Sequence, residues 1–122
     1  MQRRGADFIQ LPHAIYAEPE LAFAERRSCS KIYPLVAAER GFAIATPVAG
    51  LDTAFRADFG SRLPAVGVCA EYGALPEIGH ACGHTIIVAS VVSAAMALVE
   101  VADDSGLTLD LPGISAEEAG QW

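Results

Sequence analysis

Basic residues are scarce in this sequence. Only eight of its 122 residues are lysine or arginine, against fifteen aspartates and glutamates, and the formal net charge is -7. The basic residues are spread along the chain rather than gathered into one segment. Nucleic acids and anionic membranes are bound mainly through positively charged surfaces, so the composition argues against both as partners.

Cysteine is also scarce, and no signal peptide is evident. The three cysteines, Cys29, Cys69 and Cys82, are an odd number without regular spacing, which argues against a disulfide scaffold and agrees with a reducing compartment. Asp7 and Pro12 interrupt the N-terminal segment, which therefore lacks the apolar core of a secretory signal. We expect a cytoplasmic protein.

Long hydrophobic runs are few. The longest, residues 86–102, contains Ser90, Ser93 and Glu100 and is shorter than the ~20 residues needed to cross a bilayer. We therefore expect this run to form a buried helix.

The order of apolar patterns predicts one α/β domain. Helical spacing is present in residues 3–16, 20–40 and 82–101, and short apolar or β-branched runs at 42–48, 53–59, 65–70 and 107–111 predict strands. The last two strands with the helix between them make a β-α-β unit, which indicates a parallel or mixed sheet.

Two of the predicted strands have special features. The near-continuous apolar run containing Val66, Val68 and Cys69 predicts a strand that is buried on both faces. In the last strand, Asp110 interrupts the apolar pattern and Pro112 removes a backbone donor, so we expect that strand to lie at an edge or to be poorly formed.

Residues of chemical interest follow the third strand. Cys82 and His84 are two positions apart at the start of the long helix, and the intervening Gly83 would allow a tight turn. A thiolate and an imidazole together suit zinc, and a helix N-terminus favours the thiolate. An isolated pair of this kind is more often a buried cysteine with a capping or core histidine.

A pair of glutamates follows the fourth strand. Neighbouring carboxylates such as Glu117 and Glu118 point in different directions, so one can bind a metal while the other acts as a general base. A lone Glu-Glu pair is usually solvated surface. In an α/β fold, however, both groups would lie beyond the C-terminal ends of strands, where such sheets place their sites.

Three ordered motifs resemble one known family. The segments are Ala-Glu-Tyr-Gly-Ala-Leu-Pro at 70–76, Gly-His-Ala-Cys-Gly-His at 79–84 and Gly-Ile-Ser-Ala-Glu-Glu at 113–118. Together they resemble the zinc metallopeptidases and amidohydrolases that include hippurate, indole-acetyl-amino-acid and aminobenzoyl-glutamate hydrolases. Residues 18–23 and 49–55 are similar to the same family, so the resemblance covers nearly the whole chain.

The resemblance implies roles for particular residues. It implies a three-layer zinc-exopeptidase-like sandwich with a mixed or mostly parallel sheet, incomplete at the C-terminus in this chain, and two divalent metal ions, most commonly zinc, with manganese or cobalt as alternatives. Carried over by position, Cys82, His84 and Glu118 are metal ligands and Glu117 is the general base. His80, Glu71 and Gly73 are expected to support the site rather than to bind metal. The implied reaction is hydrolysis of an amide C–N bond in an N-acyl amino acid, aminobenzoyl-glutamate or dipeptide.

The sequence departs from the family pattern at four positions in or near these motifs. Gly73 stands where the family has an aspartate, Thr85 replaces asparagine or aspartate, Ser115 replaces proline, and Tyr16 replaces histidine. Loss of the aspartate removes a charged group next to the ligands, and such groups affect metal sites by about 10- to 100-fold.

The sequence ends at Trp122, before the further histidine ligands and the lid or dimerisation domain that the resemblance implies. We therefore expect residues 1–122 to be the N-terminal part of a catalytic domain, with at most one weakly bound metal ion. An exposed sheet edge would favour self-association or a complementary chain.

Two other functions stay open. One is a catalytically inactive remnant or metal-binding interaction module. The other is a redox or nucleophilic cysteine, with Cys82 activated by His80 or His84; this alternative leaves the glutamate pair unexplained.

Overall fold

A computed structural model describes residues 2–39 and 41–119, with the side chains of 2–4 left out. The elements, in chain order, are α1 (Gln2–Tyr16), α2 (Arg26–Ala37), β1 (Phe42–Ala45), β2 (Phe55–Phe59), β3 (Ala65–Gly67), β4 (Ala70–Glu71), α3 (His84–Ser105), β5 (Thr108–Ile114) and a 3₁₀ turn (Glu117–Ala119). The last three residues, 120–122, lie outside the described part.

The sheet is mixed. Its strand order is β1-β2-β5-β3, and β4 pairs with β5 beyond the end of β3. β1 with β2 and β2 with β5 are antiparallel, whereas β3 and β4 are parallel to β5. The predicted α/β class, the mixed sheet and the β-α-β unit are therefore confirmed.

One face of the sheet carries the core. Phe55 and Ala57 of β2 share this face with Leu109 and Leu111 of β5, and all four are at most 1% exposed. They belong to one apolar cluster with buried side chains of α1, α2 and α3. The opposite face is polar, and there Arg56 bonds to Asp58 and Asp110. Among the described residues, the helices thus form one layer on the sheet, and the second layer of the predicted sandwich is not present.

The predicted second helix begins later than expected. Residues 20–24 are not helical, and α2 begins at Arg26. The carboxylate of Glu20 accepts hydrogen bonds from the backbone N–H groups of Arg27 and Ser28, at 3.1 and 2.8 Å. Glu20 therefore satisfies donors at the start of the helix instead of forming its first turn.

The prediction that the third strand is buried on both faces is wrong. All three residues of β3 are exposed, including Val66 at 43%, because β3 pairs only with β5 in the described part of the chain. In this chain, the apolar run around Val66 is therefore a strand at the edge of the sheet. Cys69, between β3 and β4, is exposed as well.

The prediction of an irregular last strand is also wrong. β5 is the longest strand and lies in the middle of the sheet. Asp110 points to the polar face, where it meets Arg56. Pro112 has no backbone N–H to donate to a neighbouring strand. It is tolerated because residues 68–69, which lie opposite it on the parallel side, form the break between β3 and β4, where the strand pairing is interrupted.

Helix α3 packs on the core with one side only. By length and composition it could cross a membrane, with a mean hydropathy of 2.2 over its most apolar segment. Core helices meet the same criteria, and α3 contacts α1, β4 and β5 and buries Val88, Val92 and Ala95. Ile86 and Val101 are 67% and 50% exposed, so the prediction of a buried helix holds for one face.

Gly113→Ala should destabilise the fold by about 1–3 kcal/mol, the usual cost of overpacking. A Cβ atom on Gly113 would lie 2.1 Å from Cε1 of the Phe55 ring, which packs across this position from β2. Denaturant unfolding of Gly113→Ala measures the effect. Gly67→Ala is the matched control, because a Cβ there has no atom within 4 Å. Equal stability of the two variants would contradict the predicted steric conflict.

Candidate metal centre

The site lies where two parallel strands and one helix meet. β4 ends at Glu71, which is paired with Ile114 at the end of β5. The 3₁₀ turn that begins at Glu117 follows β5, and α3 begins at His84. Because β4 and β5 run in the same direction, their C-terminal ends bring the residues that follow them to one edge of the sheet.

His84 is the centre of this arrangement. Its ring is buried, and its Nδ1 lies 2.9 Å from the carbonyl oxygen of Gly73. A carbonyl oxygen only accepts hydrogen bonds, so Nδ1 carries the proton and the lone pair of a neutral ring is on Nε2. Metal-binding histidines are commonly oriented by such a bond to the other ring nitrogen.

Three carboxylates surround that nitrogen. From Nε2 of His84 the distances are 3.5 Å to Glu71, 3.7 Å to Glu117 and 3.7 Å to Glu118. Ligand atoms on one tetrahedral zinc ion lie about 3.3–3.8 Å apart, given bonds of about 2.0–2.3 Å. Each observed separation is therefore the size expected between Nε2 and one further ligand atom on a small divalent cation.

The three predicted ligands come together. Ligand atoms of Cys82, His84 and Glu118 all lie within 4.8 Å of one another. Gly83, with φ of 86°, adopts the left-handed conformation between the cysteine and the histidine, as the tight turn requires. The helix begins at His84 rather than at Cys82, which leaves the thiol exposed beside the helix start. The assignment of these residues as ligands stays a prediction.

The described residues contain a second group of the same kind. Glu71, His84 and Glu117 also place ligand atoms within 4.8 Å of one another. The sequence predicted only a supporting role for Glu71 and a base for Glu117. Glu71 directly follows the apolar run at 65–70, and this position after a strand is the sequence signal that could have identified it as a further candidate ligand.

His80 belongs to neither of these groups. Its side chain is 6% exposed and its ring is 6.3 Å, between centroids, from the ring of Tyr16. Burial lowers the pKa of His80 and thereby favours a neutral imidazole. The supporting role of His80 stays a prediction. The position of Tyr16, where the family has histidine, is at the end of α1 beside this ring.

Glycine at position 73 still provides the hydrogen-bond acceptor that orients His84. The group that orients His84 is the backbone carbonyl of residue 73, and a carbonyl is present whatever the side chain. A Cβ atom there would lie 3.1 Å from Oε1 of Glu25, so the absent side chain would have been tightly packed. The change to glycine therefore removes a carboxylate but leaves the histidine oriented. Thr85, the next departure from the family pattern, is buried.

Fold and site together define an α/β domain with a candidate divalent-metal centre at the ends of its parallel strands. No protein-family model matches the chain. It is 35% identical to the Xaa-Arg dipeptidase of Mus musculus, over 98% of this chain and 33% of the relative. It is 37% identical to the Xaa-Arg dipeptidase of Homo sapiens, over 80% of this chain and 24% of the relative.

Two solved structures share the fold. The YXEP protein of Bacillus subtilis, a dinuclear metal-binding peptidase from the M20 family, superposes with a TM-score of 0.79 and 26% identity, over 96% of this chain and 36% of that chain. A protein of methicillin-resistant Staphylococcus aureus assigned as an aminohydrolase superposes with a TM-score of 0.81 and 19% identity, over 99% and 36%.

The predicted resemblance is therefore confirmed in sequence by the two dipeptidases, and in fold by both solved structures, of which the protein from Bacillus subtilis is a metal-binding peptidase. The chain spans about a third of the length of the mouse dipeptidase and of each solved structure, and a quarter of the human relative.

Proposed function

We propose that this chain supplies the metal ligands and general base of a metal-dependent amidohydrolase or peptidase. The observation that carries the proposal is the convergence of the Cys82 thiol and three carboxylates on the ring of His84. The proposed substrate is an N-acyl amino acid, an aminobenzoyl-glutamate or a dipeptide. The mouse and human relatives are named Xaa-Arg dipeptidases, so a dipeptide with a second-position arginine is the first substrate to test.

Zinc is the proposed metal, because thiolate and imidazole ligands suit zinc, with manganese or cobalt as alternatives. Both candidate ligand groups include His84, and a single Nε2 atom binds a single ion. We therefore propose one weakly bound ion for this chain. The relative from Bacillus subtilis is dinuclear, which supports two divalent ions in a whole enzyme of this kind.

The residues divide the chemistry between them. The ion would be held by Cys82, His84 and Glu118. When bound, it would polarise the carbonyl group of the substrate and lower the pKa of a water molecule. The side chain of Glu117 is 36% exposed and lies beside the ligands, so it can reach both a water molecule and a substrate. Its carboxylate would take the proton from water and pass it to the leaving nitrogen.

A second candidate function is metal binding without catalysis. Gly73 and Thr85 replace polar residues of the family pattern, which favours a metal-binding interaction module or inactive remnant. The orientation of His84 by a backbone carbonyl supports metal binding under either proposal, because it does not depend on those side chains. Turnover distinguishes the two.

Zinc titration by calorimetry tests the metal site. We expect about one equivalent of zinc to bind and to protect Cys82 from alkylation, since the thiolate is the ligand. Exposed Cys69 is the internal control, because it lies outside both ligand groups and should react equally with or without zinc. Zinc-insensitive alkylation of Cys82 would instead support a redox or nucleophilic thiol.

Hydrolysis is measured on the same zinc-loaded samples, with an Xaa-Arg dipeptide, an N-acyl amino acid and aminobenzoyl-glutamate. Release of amino acid supports the hydrolase, and zinc binding without release supports the interaction module. Absence of zinc binding contradicts both.

We also propose a cytoplasmic location and an association through the sheet edge. The location is supported by the three cysteines, all of which are free, because a reducing compartment keeps thiols from forming disulfides. The support for association is β3, whose exposed residues include Val66, and whose outer edge has no strand partner within residues 2–39 and 41–119. Light scattering of the purified chain distinguishes a monomer from an assembly.

A further inference from the structure

A fully buried carboxylate lies directly behind the candidate metal centre. Glu25 is 0% exposed and precedes the first residue of α2. It belongs to neither of the ligand groups. A charge in such a position is costly unless hydrogen bonds compensate it, so its partners indicate why it is there.

Both hydrogen-bond donors to the Glu25 carboxylate belong to the segment that leads into the glutamate pair. The Ser115 hydroxyl donates to Oε2 at 2.6 Å, and the Ala116 backbone N–H donates to Oε1 at 2.8 Å. Glu117 and Glu118 follow immediately. Ala116 has φ of 61°, the left-handed region that non-glycine residues seldom adopt. Hydrogen bonds to a carboxylate are among the stronger ones in proteins, so Glu25 is well suited to hold this turn.

The same carboxylate is connected to the end of β4. The Ser115 proton is directed to Glu25, so the Thr53 hydroxyl, 2.7 Å away, donates to the Ser115 oxygen. The backbone carbonyl of Thr53 in turn accepts the hydroxyl proton of Tyr72 at 2.5 Å. Tyr72 lies between Glu71 and Gly73. A chain of buried hydrogen bonds therefore joins the segments that follow both strands of the site.

Glu25 itself is unsuited to a direct role in chemistry. Each of its oxygens already accepts a hydrogen bond from the Ser115–Ala116 segment, and the group has no exposure to solvent or substrate. Its hydrogen bonds reach the glutamate pair through Ser115 and Ala116. A Cβ atom added at Gly73 would lie 3.1 Å from Oε1, so the carboxylate also lies close to the segment that follows β4.

We propose that Glu25 is a positioning residue that fixes the turn at Ser115–Ala116 and thereby aims the carboxylates of Glu117 and Glu118 at the Nε2 atom of His84. The inference rests on the proposed metal site and adds a residue that does not touch the metal. Ser115, which stands where the family has proline, contributes a hydroxyl that proline lacks.

Cobalt titration, followed by visible absorption, tests the proposal. Glu25→Ala removes both hydrogen bonds and should weaken cobalt binding by about 10- to 100-fold, as the loss of groups that orient ligands does elsewhere. Its cobalt spectrum should also change, because Glu118 no longer reaches the ion. Glu25→Gln keeps an oxygen for the Ala116 N–H and should bind within about 3-fold of wild type.

Val92→Ala distinguishes a specific effect on metal binding from a general loss of stability. Val92 is a fully buried core residue, about 12 Å along α3 from His84 at 1.5 Å per residue. Measured where both variants are folded by circular dichroism, Val92→Ala should bind cobalt like wild type. Equal weakening in Val92→Ala and Glu25→Ala, or wild-type binding by Glu25→Ala, would overturn the positioning role.

A second variant covers the case in which Glu25→Ala does not fold. Ser115→Ala removes one of the two donors and should weaken cobalt binding by about 3-fold with an altered spectrum. Unchanged affinity and spectrum in Ser115→Ala, with no folded Glu25→Ala, would overturn the proposal. If the wild-type chain itself binds no cobalt, the proposed metal site fails, and this is evident before any variant is compared.

Discussion

His84→Ala should abolish measurable zinc binding, with a loss of affinity of at least about 100-fold. His84 belongs to both candidate ligand groups, and its Nε2 atom is the point on which Glu71, Glu117 and Glu118 converge. Groups that only orient metal ligands are worth about 10- to 100-fold, so loss of a direct ligand should cost at least as much. Calorimetric titration with zinc measures the effect.

The control for His84→Ala is another histidine. His13 is exposed in α1 and lies in neither ligand group, so His13→Ala should bind zinc as the wild type does. Cys82→Ser should weaken binding less than His84→Ala, because it leaves the Glu71, His84 and Glu117 group intact. Zinc affinity in His84→Ala equal to that of His13→Ala would mean that the carboxylates bind the ion without the histidine.

The helices and the β-α-β unit could be predicted because their signals are local. Apolar residues spaced three and four apart indicate α1, and a long apolar run between two strands indicates α3. The first residue of α2 could not be predicted from the same pattern. The apolar residues Leu21 and Phe23 extend its pattern, but both are exposed and Leu21 pairs with Ala74 outside the sheet.

Strand position in the sheet was harder to predict, because it depends on which segments become neighbours. The run around Val66 has the composition of a central strand but lies at the edge. β5 has Asp110 and Pro112, which are unusual in a central strand, yet it is the strand that joins the two halves of the sheet. Arg56, far away in sequence, compensates the aspartate, and no pattern within β5 indicates that partner.

The candidate ligands were predictable from motif order, whereas their support was not. Cys82, His84 and Glu118 were identified from short segments, and the structure brings them together. Glu25 resembles an ordinary surface glutamate beside Arg26 and Arg27 in the sequence. Its burial arises from contacts 90 and 91 residues away, with Ser115 and Ala116, which only the folded chain provides.

Glu117→Gln should reduce amide hydrolysis by about 10²- to 10⁴-fold, the usual contribution of a general base, while zinc binding stays within a few-fold of wild type. Glutamine keeps the size and an oxygen of glutamate but cannot take a proton from water at neutral pH. Cys82, His84 and Glu118 form a ligand group without Glu117, so the ion should remain. Initial rates with an Xaa-Arg dipeptide and zinc titration of the same samples give both quantities.

Glu100→Gln is the matched control, because Glu100 is exposed on α3 and lies outside both ligand groups. It carries the same chemical change and should leave rate and zinc affinity unaltered. If Glu117→Gln loses zinc affinity in proportion to its rate, Glu117 acts as a ligand of the Glu71, His84 and Glu117 group rather than as the base. If instead the rate is unchanged, another residue takes the proton from water. Glu118 is then the residue to test, because its carboxylate lies at the same distance from Nε2 of His84 as that of Glu117, 3.7 Å.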